Sequence, residues 1–341
     1  MPQGHSTNST ASVAPPRSLA ATVRPYVQIA RVDHWFKNVF MVLGVALALF
    51  YEPALFAPAS LRPFLLALLA TCLVASSNYV LNEILDGPTD RLHPKKRFRP
   101  VPSGQVSLPI AYAEWILLGA AGLWMALEVN GYCAVSAFLL WLMGVVYNVP
   151  PLRTKECPYL DVVSESANNA IRLFLGWFAL ITTRVPPVSL TAAYWMLGAY
   201  FMATKRYAEY RHIGDPAVAA RYRRSFRHYT DERLLISMMF YATACTFFAG
   251  IFIVRYHFEL LLFAPLGAGI FAYYLHIGMK ADSPVQSPEI LYKERGFFTY
   301  MLVSTSVFIA LMFTSIPKLY TWFNVEVPKV NPLWTIGPSV Q

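Results

Sequence analysis

Residues 62–90 read RPFLLALLATCLVASSNYVLNEILDGPTD, and their first twenty positions carry a single charge, Arg62, at the very start. About 20 predominantly apolar residues are what a helix needs to cross a bilayer. The run ends in Asn82-Glu-Ile-Leu-Asp86-Gly-Pro-Thr-Asp90, an NxxxDxxxD pattern. Side chains four residues apart stack on one helical face, so Asn82, Asp86 and Asp90 point together from the end of a membrane span. Two stacked carboxylates repel unless a cation sits between them. Mg²⁺ takes oxygen ligands and leaves its remaining positions to waters or substrate phosphates. The alternative is a solvated acidic helix end; emergence from a nearly uncharged span favours the metal.

Working outward, apolar stretches of similar length recur at about 38–56, 108–128, 131–149, 160–182, 188–205, 234–254, 258–279 and 298–316. With 62–82 they make nine. The pattern predicts an all-α, polytopic membrane bundle of about nine transmembrane helices. Composition agrees: 56% of residues are hydrophobic and 14% charged, with a mean hydropathy of +0.42, against about 25% charged in soluble domains. No hydrophilic block is long enough for a second domain, so the membrane domain spans 25–320. Residues 1–24 are rich in Ser, Thr, Ala and Pro and hold no apolar run, which predicts a disordered cytoplasmic tail and no signal peptide. Residues 321–341 are expected as a periplasmic tail.

The formal net charge is +9. In a soluble protein that surplus would suggest nucleic acid, but here the basic residues are sorted by membrane side. The tail, the loops 83–107, 150–159, 206–233 and 280–297, and the boundary residues Lys37 and Lys205 hold 22 of the 28 Lys and Arg residues. The positive-inside rule puts that side in the cytoplasm. A multi-pass protein of the inner membrane follows, with its N-terminus cytoplasmic and, after nine spans, its C-terminus outside. The four cysteines are scattered singly, without a disulfide framework or metal-ligand spacing.

Two further constellations accompany the first acidic motif. Asp161-Val-Val-Ser-Glu165 opens the fifth span, followed by Asn168 and Arg172 in an i, i+4, i+7, i+11 stripe. Acidic residues at a helix start can simply favour its dipole. Yet ionisable groups inside a membrane are costly and usually functional, which favours a second Mg²⁺ site or a substrate-facing polar wall. The basic run Arg91-Leu-His-Pro-Lys95-Lys96-Arg97-Phe98-Arg99 directly follows Asp90. Such a run is either a topology signal drawn to anionic lipid or a clamp for polyphosphate, and its position beside a metal site favours the clamp. Lys155, Lys205 and Arg206 sit at comparable depth to complete it. Tyr147, before a Pro-Pro turn, is an interface anchor or part of the site. The stretch from Arg206 to Arg233 is a cytoplasmic helical lid or a plain solvated loop. No P-loop, GxSxG, HExxH or CxxCH motif is present. A transporter would place polar groups and broken helices at the midplane, whereas these motifs gather at one face.

Together Asn82/Asp86/Asp90, Tyr147 through Lys155, and Asp161/Glu165 resemble the UbiA superfamily of intramembrane prenyltransferases, over nearly the whole chain after residue 25. The resemblance implies a nine-helix bundle with a cytoplasmic-side cavity and Mg²⁺-dependent use of pyrophosphate donors. Arg31-Val-Asp-His-Trp35-Phe-Lys37-Asn38, Asp90 through Pro100, Ser103-Gly104 and Lys205-Arg-Tyr-Ala-Glu209 look most like the decaprenyl-phosphate phosphoribosyltransferase branch. That likeness implies transfer of 5-phosphoribose from phosphoribosyl pyrophosphate to a polyprenyl phosphate entering sideways from the bilayer. The product leads toward lipid-linked arabinose, and similar sequences accompany arabinosylated nodulation signals. On this reading Asp86, Asp90 and Asp161 are catalytic and, with Glu165, hold Mg²⁺. Lys37, Asn82, Lys95, Arg97, Arg99, Tyr147, Lys155, Arg172, Lys205 and Arg206 bind substrate. The runner-up is transfer of an isoprenoid from its diphosphate to an aromatic or other acceptor, favoured by the Tyr147-Asn-Val-Pro-Pro segment. Glu83 stands where the branch usually has Asp. Pro88 is also a departure, and it is expected to turn Asp90 off the helical face.

Overall fold

The computed structural model describes residues 19–91, 96–286, 291, 293–326 and 334–335. Each of the nine expected spans coincides with a helix: α2 (Val42–Tyr51), α3 (Leu61–Asp90), α4 (Leu108–Val129), α5 (Gly131–Asn148), α6 (Leu160–Phe178), α7 (Val188–Ile213), α9 (Asp231–Tyr256), α10 (Ala264–Gly278) and α11 (Arg295–Met312). Three further helices complete the set: α1 (Leu19–Ile29), which begins inside the stretch expected as a tail, α8 (Pro216–Tyr222) and α12 (Pro317–Phe323). Among the described residues seven segments are long and apolar enough to cross a membrane on their own. Helices α6 and α7 are the two that are not, because they carry the polar machinery. Asp161, Glu165 and Arg172 interrupt α6, and Lys205, Arg206 and Glu209 end α7. Their apolar faces are covered by neighbouring helices instead of lipid.

Pro88 does not break α3, which continues through it to Asp90. A proline removes one backbone donor, yet near a helix end the loss is small. Thirty residues at 1.5 Å each make a helix of about 45 Å. That exceeds a hydrocarbon core of about 30 Å, so the last turns, with Asp86 and Asp90, stand beyond it. The first span also differs from a plain helix. Arg31 takes a left-handed conformation (φ 47°), and Val32–Met41 winds as a ten-residue 3₁₀ helix before α2. Such runs seldom exceed four residues. Side chains hold this one: Trp35 Nε1 donates to Ser76 Oγ at 2.9 Å, and Asn38 Nδ2 to Cys72 Sγ at 3.2 Å.

Glycines set the closest helix contact. A Cβ on Gly44 would lie 2.0 Å from the Leu173 carbonyl oxygen, and one on Gly176 would lie 2.0 Å from that of Met41. Only hydrogen fits there, so α2 and α6 meet backbone to backbone, as small residues allow in membranes. One core cluster fills the outer half of the bundle around Met41, Leu47, Phe50 and Trp177. A second joins α7, α9 and the loop between them through Tyr207, Phe226, Tyr229, Leu234 and Met238. At the opposite membrane end, buried Glu259 accepts from Tyr320 Oη at 2.6 Å and Ile316 N at 2.8 Å. That contact ties α12 to the α9–α10 junction, and Thr314–Ser315 adds a two-residue parallel pairing with Trp334–Thr335.

Candidate functional site

The C-terminal end of α3 supplies a partly open acidic group. Asp86 has a side chain 25% exposed, and its Oδ1 accepts from Lys155 Nζ and from Arg153 Nη2 at 3.2 Å. One turn earlier on the same face, Asn82 Nδ2 donates to Asn148 Oδ1 at 2.6 Å. Lys155 Nζ reaches that same oxygen at 2.9 Å, while Asn148 Nδ2 is anchored on the Gly144 carbonyl. The turn after α5 thus folds its cations back over α3. Arg153 pays for this with a left-handed backbone (φ 30°), a strain that persists only where surrounding contacts enforce it. Its other contact is Glu156 Oε1 at 2.7 Å. Burial pushes the Lys155 ammonium down from its ordinary value, and Asp86 pulls it part of the way back.

Asp161, at the start of α6, has the opposite environment. It is wholly buried; Oδ1 accepts from Tyr229 Oη at 2.6 Å, and Oδ2 from Arg206 Nε at 3.0 Å and Ser225 Oγ at 3.3 Å. Arg206, 3% exposed, also pairs with Glu209 at 3.0 Å and reaches Tyr147 Oη at 3.5 Å. Arg223 stands 3.6 Å from the same Asp161 oxygen. Burial, reinforced by the Asp161 charge, keeps the Tyr229 phenol protonated well above its usual range and hence a donor. This hub fastens α6, α7 and the loop together. The stretch 206–233 is therefore held in place: α7 continues to Ile213, Gly214 closes it at φ 69°, and Asp215 caps α8 through Ala217 N at 2.7 Å.

The remaining expected residues divide. Asp90, one turn beyond Asp86 on the unbroken α3, binds Arg99 at 2.8 Å, with Lys96 at 3.8 Å. The two aspartates therefore serve different cation sets. Arg97 is exposed and lies over the Phe98 ring, and Lys95 lies outside the described residues. Lys37 Nζ donates to His34 Nδ1 at 3.2 Å, on the 3₁₀ segment. Lys205 acts electrostatically on Glu209. Glu165 is half-buried and makes no hydrogen bond or ion pair among the described residues. One turn further, the Asn168 Oδ1 is buried without a partner. Arg172 lies deeper, its Nε donating to Asn38 Oδ1 at 3.0 Å. Among the described residues no three acidic, His or Cys groups already converge as a metal site.

A carboxylate-and-cation end on a membrane helix bundle has known counterparts. The model of the UbiA prenyltransferase family matches residues 37–302. The chain belongs to that family. A decaprenyl-phosphate phosphoribosyltransferase from Mycobacterium tuberculosis is 30% identical over 241 residues, covering 70% of this chain and 75% of that protein. One of the same name from Corynebacterium glutamicum is 29% identical over 235 residues, covering 67% of this chain and 66% of that protein. The nodulation protein NoeC of Azorhizobium caulinodans is 35% identical over 114 residues, about a third of each chain. Among solved structures, a UbiA homolog from Archaeoglobus fulgidus bound to GPP and Mg²⁺ superposes with a TM-score of 0.63 at 20% identity. It covers 86% of this chain and 98% of its own. The protein is thus a multi-pass membrane transferase of the UbiA family.

Several residues of this UbiA-family site escape a reading by motif. Arg153 lies inside the segment Tyr147–Lys155, but only the fold shows that it shares Asp86 with Lys155. Ser225, Arg223 and Tyr229 sit in a stretch with no pattern beyond its charge. Glu83 accepts from Val101 N at 3.2 Å and faces Arg31 at 3.6 Å, so it braces the 99–104 loop against α3. A glutamate one residue past Asn82 was a visible signal for that.

Proposed function

We propose that this membrane transferase moves 5-phosphoribose from phosphoribosyl pyrophosphate to a polyprenyl phosphate, feeding lipid-linked arabinose for extracellular glycans or a nodulation signal. The observation that carries it is the partly open Asp86 carboxylate held between Lys155 and Arg153, a charge arrangement suited to pyrophosphate. The relatives named decaprenyl-phosphate phosphoribosyltransferase support the donor. The distribution of Lys and Arg supports an inner-membrane protein with a cytoplasmic N-terminus and the site on the cytoplasmic side.

The donor set fits Mg²⁺. It offers oxygen ligands, among them the unpaired Glu165 and the partnerless Asn168 Oδ1. Asp86, Asp90 and Glu165 would hold the ion, which supplies charge neutralisation at the pyrophosphate. Asp161, with both oxygens occupied, is assigned to holding α7 and the loop. Lys155 and Arg153 turn from Asp86 to the pyrophosphate oxygens and stabilise the charge that develops as it leaves. The lipid phosphate is already ionised and needs no base. One of its oxygens bonds to the anomeric carbon as the bond from that carbon to the pyrophosphate oxygen breaks. Pyrophosphate departs with the electron pair.

Prenyl transfer is the second reading, favoured by the turn at Tyr147-Asn-Val-Pro-Pro. To separate the two, purified protein in detergent is given labelled phosphoribosyl pyrophosphate and a polyprenyl phosphate, with Mg²⁺ or with a chelator. The label is expected in the organic phase only when Mg²⁺ is present. Label that never leaves the aqueous phase, with a labelled prenyl diphosphate giving lipid product instead, would reverse the preference.

A further inference from the structure

Arg172 is a charge that the pyrophosphate end does not use. It lies seven residues beyond Glu165 and eleven beyond Asp161 on α6, hence about 10 and 16 Å deeper along the helix axis. The residue is 9% exposed. Its one hydrogen bond among the described residues runs from Nε to Asn38 Oδ1 at 3.0 Å, and Asn38 is fixed in turn by Cys72 Sγ at 3.2 Å. No carboxylate pairs with it there, and Nη1 and Nη2 have no partner.

An arginine cannot shed its proton, and a buried charge without a counter-ion is strongly unfavourable. Arg206, equally buried, shows how the same protein treats a structural guanidinium: two carboxylates meet it, Asp161 and Glu209. Nothing of the kind meets Arg172. Asn38 takes up the inner nitrogen and leaves the outer fork unengaged, the arrangement that grips a phosphate through two parallel bonds. A second orphan lies one turn toward the cytoplasm on the same face: the buried Oδ1 of Asn168. Tyr79, on α3, lies within electrostatic reach of both Arg172 and Glu165.

We propose that Arg172, oriented by Asn38 and flanked by Asn168, is a receptor for a phosphate monoester, distinct from the pyrophosphate-binding end at Asp86 and Lys155. This rests on the reading of the site given above and sharpens it. A phosphate monoester is present both at the far end of a phosphoribosyl donor and on the head of a polyprenyl phosphate. Either source makes this an enzyme for two separate anionic groups. A prenyl diphosphate donor would instead lay hydrocarbon at this depth, against an uncompensated guanidinium.

The test uses full-length protein in detergent and three probes without a leaving group to react: ribose 5-phosphate, farnesyl monophosphate and Mg²⁺-pyrophosphate. Binding is measured calorimetrically on wild type, Arg172→Gln and Arg172→Lys. Wild type is expected to bind at least one monoester, and Arg172→Gln to weaken that one by about 10- to 100-fold, the scale of a lost charge-assisted pair. Mg²⁺-pyrophosphate binding stays unchanged, and the monoester that is lost names the source. The melting temperature of ligand-free Arg172→Gln is expected at or above wild type, because an uncompensated charge has been removed. A clear fall would make Arg172 a structural anchor for Asn38 and overturn the proposal. So would unchanged monoester binding in Arg172→Gln, or no monoester binding by wild type. A wild type that transfers phosphoribose while Arg172→Gln does so with unaltered kinetics overturns the role of Arg172 alone. A wild type that binds geranyl diphosphate and transfers no phosphoribose overturns the donor reading itself.

Discussion

Asp86 and Asp161 are both aspartates near helix ends, and both face arginine, yet they live under opposite conditions. Asp161 is wholly buried and receives Tyr229, Arg206 and Ser225 on its two oxygens. Asp86 keeps a quarter of its side chain exposed and meets its cations through one oxygen. A carboxylate satisfied from every side holds the structure together, because any exchange of partner would strand a buried charge. A carboxylate with an open oxygen beside two cations can change partners when a ligand arrives. Charge alone does not separate the two. The completeness of their pairing does.

The contrast can be broken at its strongest point first. Asp161→Asn leaves Arg206 buried with one carboxylate fewer, and the cost of breaking such a pair is about 3–5 kcal/mol. Thermal melts in detergent should show a large loss of stability; a melt superimposable on wild type would remove Asp161 from the structural side of the comparison. Asp86→Asn should act the other way. Transfer activity is expected to drop by about 10²- to 10³-fold, the scale of removing one stabilising group from a site of charge development. Its melt should fall by less than that of Asp161→Asn, since Asp86 itself is a quarter exposed and water reaches the pair, although the buried Lys155 loses a carboxylate. Equal melting losses in the two variants would collapse the distinction. The smallest of the three effects is at Gly44→Ala, where the added methyl meets the Leu173 carbonyl. Overpacking of this kind costs about 1–3 kcal/mol, and the melt should fall by less than in Asp161→Asn. A neutral result would mean that α2 and α6 can part to admit a side chain.

Much of this molecule could be read before folding. Each of the nine apolar runs falls on a helix, and seven segments are long and apolar enough to be read as spans by length and hydropathy alone. Asp86 was visible as the point where an uncharged run ends in acid. Less legible was the way α3 stays helical through Pro88, which depends on where along the helix the missing donor falls. Least legible was the partnership of each charge. Four-residue spacing places Asp86 and Asp90 on one stripe, but Lys155 and Arg153 arrive from a turn more than sixty residues later, and Arg99 folds back to claim Asp90. The Asp161 hub likewise draws Ser225 and Tyr229 from a loop whose sequence shows only alternating charge. Long-range pairing is set by the packing of helices on one another, and no local pattern encodes it.

The contact between α2 and α6 has a consequence for motion. With a carbonyl oxygen standing where each glycine would carry a methyl, the two helices have no free sliding coordinate. Side chains can still hop on picosecond-to-nanosecond scales and loops can open more slowly, but the backbone pair resists sliding. Asn38 stands just before α2 and Arg172 stands on α6. Their spacing is therefore fixed by the backbone contact, whereas Lys155 and Arg153 are placed by side-chain bonds to Asp86 and Asn148.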